Sequence, residues 1–208
     1  MKRGLFITID GPDGCGKTTQ ASMLVSTIRT DTNLQVLHLR DPGTTELSEK
    51  IRSMLLNRTE VILPSTEAFL FFAARSHLAD KIILPALAQG KVVVCERWTS
   101  STLAYQGAAG RVGIGNITAM SRVIEKLVAP DFQIILNISA VEGLRRCGKK
   151  LDSMESKSLE FHREVSKAFG LLSTLKGFKG LSALHIPHTL HAIIWDYLRA
   201  PIFNLMKG

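Results

Sequence analysis

The sequence predicts an α/β fold, a five-stranded parallel sheet with helices on both faces, on three observations. Five short apolar runs recur at residues 5–10, 36–40, 91–96, 132–138 and 182–186. They lack strict apolar–polar alternation, as strands buried on both faces do. Helical periodicity fills the intervals between them, which is the alternation that builds parallel crossovers. At 208 residues the chain suffices for one well-buried domain and is short for two, so a single domain over residues 1–208 is expected.

Taken in order, the first run is short and β-branched, and Gly-Pro-Asp-Gly-Cys-Gly-Lys-Thr follows it at residues 11–18. That is the pattern G-x-x-x-x-G-K-[ST] between a strand and a helix. Gly11, Gly14 and Gly16 let backbone N–H groups converge on phosphate oxygens, Lys17 supplies a charge for the β- and γ-phosphates, and Thr18 supplies a hydroxyl for Mg²⁺. The helix expected over 18–29 adds its positive end to the same spot. Nucleotide triphosphate binding follows from this loop, but the identity of a second substrate does not.

The second strand, 36–40, ends in Arg40-Asp41-Pro42-Gly43, which also reads as an ordinary strand-ending turn. Arg52 lies in the helix expected over 45–56. On the helix over 65–89, Phe71 and Arg75 stand at i, i+4 and share a face, a ring to stack and a guanidinium to donate to a flat heteroaromatic base. Of Phe69, Phe71 and Phe72, one can face a pocket and the others belong to the core. The third strand, 91–96, ends in Glu96-Arg97, suited to Mg²⁺ or water and to a phosphoryl group respectively, with a structural ion pair as the alternative. Ser101, Thr102, Tyr105 and Gln106 follow with hydroxyl and amide groups for sugar and base edges. Residues 106–115 hold four glycines and read as a mobile loop beside the site. Helices are expected over 117–128 and, after the fourth strand (132–138), over 140–147. Arg145, Arg146, Lys149 and Lys150 form a basic cluster there, either a lid over a transferring phosphoryl group or a solvated loop. A helix over 153–175, a strand over 182–186 and a helix over 188–200 complete the chain.

Lys and Arg outnumber Asp and Glu by 26 to 18, a net charge of +8 that suits anionic partners such as nucleotides. The basic residues are spread rather than set in a stripe with aromatics, so a nucleic-acid surface is not expected. Cys15, Cys95 and Cys147 fall singly with no metal-ligand spacing, which points to a reducing interior. Cys15 sits where a helix terminus favours thiolate, or simply fills the loop. No signal peptide or spanning segment is read, so a cytoplasmic protein is expected.

With FITIDGPDGCGKTTQ, RDPGTT, FFAARSHL, ERW, SSTLAYQG and LRRCGKKLDSMES assembled, the sequence resembles the thymidylate kinases from residue 5 to about residue 169. The resemblance implies a P-loop fold of the nucleoside-monophosphate-kinase kind, transfer of a phosphoryl group from Mg·ATP to dTMP, and a homodimer. ATP would be held by Gly11, Pro12, Asp13, Gly14, Cys15, Gly16, Lys17, Thr18, Thr19 and Arg145, with Thr18 and Glu96 at Mg²⁺. For dTMP it implies Asp13 on the sugar 3′-hydroxyl, Asp41, Arg52 and Arg97 around the phosphate, and Phe71 stacked on thymine. Arg75 would reach O4, Thr102 and Gln106 the base edge, and Tyr105 the 2′ position, with Ser101 also among the dTMP-binding residues. Lys17, Glu96, Arg97, Arg146 and Lys149 would carry catalysis, with a lid near 145–155. Cys15 stands where one subclass has a basic loop residue, which implies the bacterial kind with lid cations. Glu96 and Trp98 replace the family's usual aspartate and Tyr, Phe or His, Ser153 stands where arginine is frequent, and Ile186-Pro187-His188 stands where an Asp-Ala pair is common. Some deoxynucleoside kinases also carry a Glu-Arg pair after the third strand, and a P-loop regulator would bind nucleotide without an acceptor.

Overall fold

The computed structural model of the chain describes residues 2–57, 60–147 and 152–206. Strands β1 (Phe6–Asp10), β2 (Val36–Arg40), β3 (Val92–Glu96), β4 (Phe132–Asn137) and β5 (Phe178–Ser182) form one sheet in the order β2-β3-β1-β4-β5, all pairs parallel. The described helices are α1 (Lys17–Asp31), α2 (Glu46–Leu56), α3 (Pro64–Leu78), α4 (Leu84–Ala88), α5 (Thr99–Thr102), α6 (Ile114–Leu127), α7 (Ala140–Arg146), α8 (Leu159–Leu172) and α9 (Pro187–Met206). A π-helical turn, Ala79–Ile83, joins α3 to α4, and another, Leu103–Ala109, prolongs α5.

Every residue of β1 and β3 is buried, because the pleat sends alternate side chains into two separate cores. Ile7, Ile9, Val92 and Val94 pack under α1 and α9 with Leu24, Ile28, Ile194 and Leu198. Phe6, Val93 and Cys95 pack on the other face with Phe72, Leu78, Ile83 and Ile124 from α3, the first π-helical turn and α6. Burial of each such side chain stabilises the fold by about 2 kcal/mol. Ile9 lies opposite Glu96, so the chain leaves β1 and β3 at the same end of the sheet, and the loops meet there. That is where ligands bind in open parallel sheets.

Four expectations need correction. The fifth strand is not at 182–186 but at Phe178–Ser182, pairing Phe178 with Gln133 and Ser182 with Asn137. Leu184 and Ile186, whose apolarity suggested it, are 67% and 68% exposed in the turn that follows. Helix α8 begins at Leu159 rather than 153, because the Ser158 side chain accepts from the N–H of Phe161 and starts it there. Helix α9 runs on to Met206 through Pro201. Finally, residues 106–109 are helical and α6 begins at Ile114, so 106–115 is not a mobile loop. Gly107 serves packing: a Cβ there would press on Ile117 of α6. Among the described residues no helix is long and apolar enough to cross a membrane.

Candidate active site

The loop at 11–16 turns on Gly14 and Gly16, both left-handed at φ 72° and 88°, which a side chain would resist. Lys17 Nζ donates to the carbonyl oxygens of Gly11 (2.9 Å) and Pro12 (2.7 Å), and lies 3.5 Å from Cys15 Sγ. Cys15 itself is buried and packs into the core under α1. Thr18 at the start of α1 donates its hydroxyl to Glu96 Oε2 at 2.5 Å. Both are hard oxygen donors set side by side, the ligand chemistry that Mg²⁺ takes. Burial disfavours the charged Glu96 carboxylate, but hydrogen bonds from His38 and Thr18 outweigh it and hold its pKa below the usual value.

Arg97 follows β3 with φ 66°, a left-handed conformation uncommon for a residue with a side chain. It pairs with Asp13 of the phosphate loop, while the Tyr105 hydroxyl donates to the other Asp13 oxygen at 2.6 Å and the Tyr105 ring lies under the guanidinium at 5.4 Å. Burial alone would raise the Asp13 pKa. The charges of Arg97 and Lys17 and the hydrogen bonds from Tyr105 and Arg97 overcome that and bring it down to about 2. Burial also pushes the Tyr105 phenol well up, with the Asp13 charge adding to it, so Tyr105 stays a donor.

Arg75 is 1% exposed, held between the rings of Phe72 (5.1 Å) and Trp98 (5.4 Å). Its Nε donates to Asp41 Oδ2 at 2.6 Å and one terminal nitrogen donates to Thr102 at 3.1 Å. Its Nη1 has no hydrogen-bond partner among the described residues. Burial raises the Asp41 pKa and Arg75 offsets this only in part. Asp41 therefore orients Arg75 as much as it lines the cavity. Trp98 is fully buried edge-on to Phe6, its backbone N–H donating to Asp10. Ser101 donates to the same Asp10 oxygen at 2.6 Å.

These groups surround two cavities. The first, about 210 Å³, is lined by Asp13, Asp41, Arg52, Phe71, Arg75, Glu96, Arg97, Ser101, Thr102, Tyr105 and Gln106, together with Met154 and Glu155. The second, about 650 Å³, is lined by Asp13, Gly14, Cys15, Gly16, Lys17, Thr18, Thr19, Arg97, Arg146 and Glu155, and by residues 183–187 and Leu190. Phe71 and Arg75 thus share the first cavity and Phe72 lies in the core, whereas Phe69, also expected in the core, is 66% exposed. Arg52 donates to the Pro42 carbonyl at 3.2 Å on its rim. Gly11 and Pro12 meet Lys17 through their carbonyls rather than lining a cavity wall. Arg145 lines neither cavity: it is exposed and donates to Glu142, which also accepts from Arg146. Lys149 and Lys150 lie outside the described residues.

Sequence reasoning missed four participants. His38 stands 2.8 Å from Glu96 Oε1. Buried Glu67 accepts from Gln106 Nε2 at 2.9 Å, and Lys157 Nζ approaches it at 3.3 Å, which ties the segment before α8 to Gln106. Glu155 borders both cavities. None of these sits directly after a strand, and only folding brings them in.

The thymidylate kinase family profile matches residues 9–191 of the chain. The chain is 38% identical to a thymidylate kinase of Caldanaerobacter subterraneus subsp. tengcongensis, covering 85% of this chain and 84% of that protein. A thymidylate kinase of Enterococcus faecalis is 40% identical, over 78% of this chain and 79% of its own. One from Chlorobium luteolum is 35% identical, over 91% and 94%.

Proposed function

The chain belongs to the thymidylate kinase family, and from that premise we propose that it transfers the γ-phosphoryl group of ATP to the 5′-phosphate of dTMP, giving dTDP and ADP for dTTP synthesis. The observation that carries this reading is a shared wall: Asp13, Lys17, Thr18, Arg97 and Glu155 line both cavities. A donor triphosphate on the loop and an acceptor phosphate beyond Arg97 then meet across it.

In this mechanism the acceptor oxygen is already anionic near neutral pH, so no strong base is needed and catalysis is positioning plus charge neutralisation. Lys17 and the loop N–H groups hold the triphosphate. Arg97, fixed by Asp13 and stacked on Tyr105, holds the acceptor phosphate and meets the charge that grows in transfer. Arg146 of the second cavity is the described lid cation within reach of the donor side, and Lys149 is proposed as another. Thr18 and Glu96 would hold Mg²⁺, which when bound neutralises charge on the β- and γ-phosphoryl oxygens. Phe71 stacks on thymine, and the unpartnered Nη1 of Arg75 supports a carbonyl acceptor at position 4 of the pyrimidine. Tyr105 against the sugar supports deoxyribose.

We take the enzyme as a cytoplasmic homodimer acting on free nucleotides rather than nucleic acid. Exposed Phe69 on α3 and Val123 and Leu127 on α6, helices that pack together, support the dimer. A coupled ADP-release assay with dTMP, dCMP and thymidine tests the reaction. We expect dTMP to exceed dCMP by on the order of 2 to 4 kcal/mol in kcat/KM, because an amino group at position 4 leaves the buried guanidinium unpaired. A preference for thymidine would make the chain a deoxynucleoside kinase instead.

A further inference from the structure

We propose that His38 is a positioning residue that holds the Glu96 carboxylate against Thr18 and thereby sets how tightly the nucleotide-bound divalent cation is held. The inference deepens the reading above and rests on it for the role of Glu96, while the contact itself stands on geometry.

His38 is the third residue of β2, paired in register with Val94, and Arg40 of the same strand is paired with Glu96. Alternation along β2 puts Val36, His38 and Arg40 on one face, with Val36 in the core under α1. Position 38 lies beyond that core, on the exposed stretch of the strand. The imidazole reaches along the sheet to the tip of β3, with Nε2 2.8 Å from Glu96 Oε1, while Thr18 donates to Oε2 at 2.5 Å. Among the described residues Oε2 is thus partnered by Thr18 and Oε1 by His38, and contacts at both oxygens fix the plane of the group. An ionised carboxylate only accepts, so Nε2 carries the hydrogen. The Glu96 side chain is 9% exposed and the imidazole 28%, so water does little to replace the contact at the carboxylate end. A glutamate also has one more rotatable bond than an aspartate, and a carboxylate at the end of that longer arm gains more from a brace.

Partners that orient a metal ligand in this way typically change metal affinity on the order of 10-fold when removed. The test uses the full chain with His38→Val, which keeps strand shape and removes the donor, and His38→Gln, which returns a nitrogen donor near the position of Nε2. Free Mn²⁺ is measured by electron paramagnetic resonance in titrations with ADP, and ADP binding is measured separately in EDTA. His38→Val should weaken Mn²⁺·ADP by about 10-fold while leaving metal-free ADP binding within about twofold, and His38→Gln should recover most of the loss. Combined with Glu96→Gln, His38→Val should add little further loss, since the two act through one contact. Unchanged Mn²⁺·ADP binding in His38→Val, or equal losses in the Val and Gln variants, would make His38 a strand filler and overturn the proposal. If His38→Val does not fold, Gln against Asn decides, because asparagine is too short to place a donor at Nε2; equal behaviour of those two also overturns it. A chain that binds Mn²⁺·ADP with this dependence on His38 yet leaves dTMP unphosphorylated sinks the kinase reading and spares the positioning role.

Discussion

Asp13 is kept ionised in a buried place by two cations and a phenol, and that has a consequence in acid. Its folded-state pKa of about 2 lies below the ordinary 3.8, so its stabilisation is fully present above about pH 4 and is lost as pH falls through about 2. The gap corresponds to about 2 kcal/mol. Urea titrations from about pH 5 down to about pH 2 should show the wild type losing about that much more stability than Asp13→Asn; parallel curves for the two would mean that Asp13 titrates as an ordinary carboxylate. For its partner Arg97 the proposed role is kinetic. Arg97 is pre-set by Asp13 and by its own left-handed backbone, so its donors need no reorganisation when charge develops. Turnover of Arg97→Ala should fall by on the order of 10²-fold, with the KM for ATP within about threefold of wild type. Removing it also strands Asp13, so steady-state rates are read alongside circular dichroism melting. Near-normal turnover in the folded variant would remove Arg97 from the transition state.

The phosphate loop owes one of its glycines to a neighbouring helix as well as to a ligand. A Cβ on Gly14 would overlap the backbone of Gly143 in α7, and a Cβ on Gly143 would overlap the carbonyl oxygen of Asp13, so loop and helix touch backbone to backbone. Gly143→Ala must therefore shift the loop as a unit. A cost of about 2 kcal/mol in stability is expected, as for other overpacked contacts, with ATP binding weakened by on the order of 10-fold because loop N–H groups lose their aim. Calorimetric titration with ATP checks this, and an unchanged affinity would mean that the loop holds its shape without α7. Position 143 carried no signal in the sequence, since a glycine early in a helix suggests nothing about a loop 130 residues away in the chain. Strands β1 and β3 were legible because each is buried along its whole length and reads as a short, largely apolar run, and β2 and β4 because Val36, Leu37 and Leu39 in one and Ile134, Ile135 and Leu136 in the other still mark an apolar stretch. β5 was not, because it is a half-exposed edge strand carrying Lys179 and Gly180, while the more apolar segment after it turns outward. The π-helical segment with Tyr105 and Gln106 was hidden in the same way, its Gly107 fitting close against α6. Phe71 with Arg75, and Glu96 with Arg97, could be found from local spacing and strand ends. His38, Glu67 and Glu155 could not, because their partners are distant in sequence and only the sheet order and the packing of 152–158 bring them together.

At the scale of the molecule, β1 and β3 are neighbours in the sheet, and the residues that line both cavities are Asp13, Lys17 and Thr18 after β1, Arg97 after β3, and Glu155 from the segment before α8. Two nucleotides bound at once must bring their phosphates to Lys17 and Arg97 from opposite sides. An adenosine and a thymidine joined 5′ to 5′ by a chain of phosphates should then occupy both cavities as one ligand. The second half binds at an effective concentration in the millimolar range, provided the chain spans the shared wall without strain. We expect such a compound to bind at least about 100-fold more tightly than ATP or dTMP alone, and to lose that advantage when the phosphate chain is too short to let both bases seat. Competition calorimetry across a series of chain lengths measures this. The variant Arg75→Ala should weaken the long compound through its thymidine end only, leaving ATP binding near wild type. A series in which no length binds more tightly than the better single nucleotide would mean that the cavities do not face one another in line, and in-line transfer between them would fall with it.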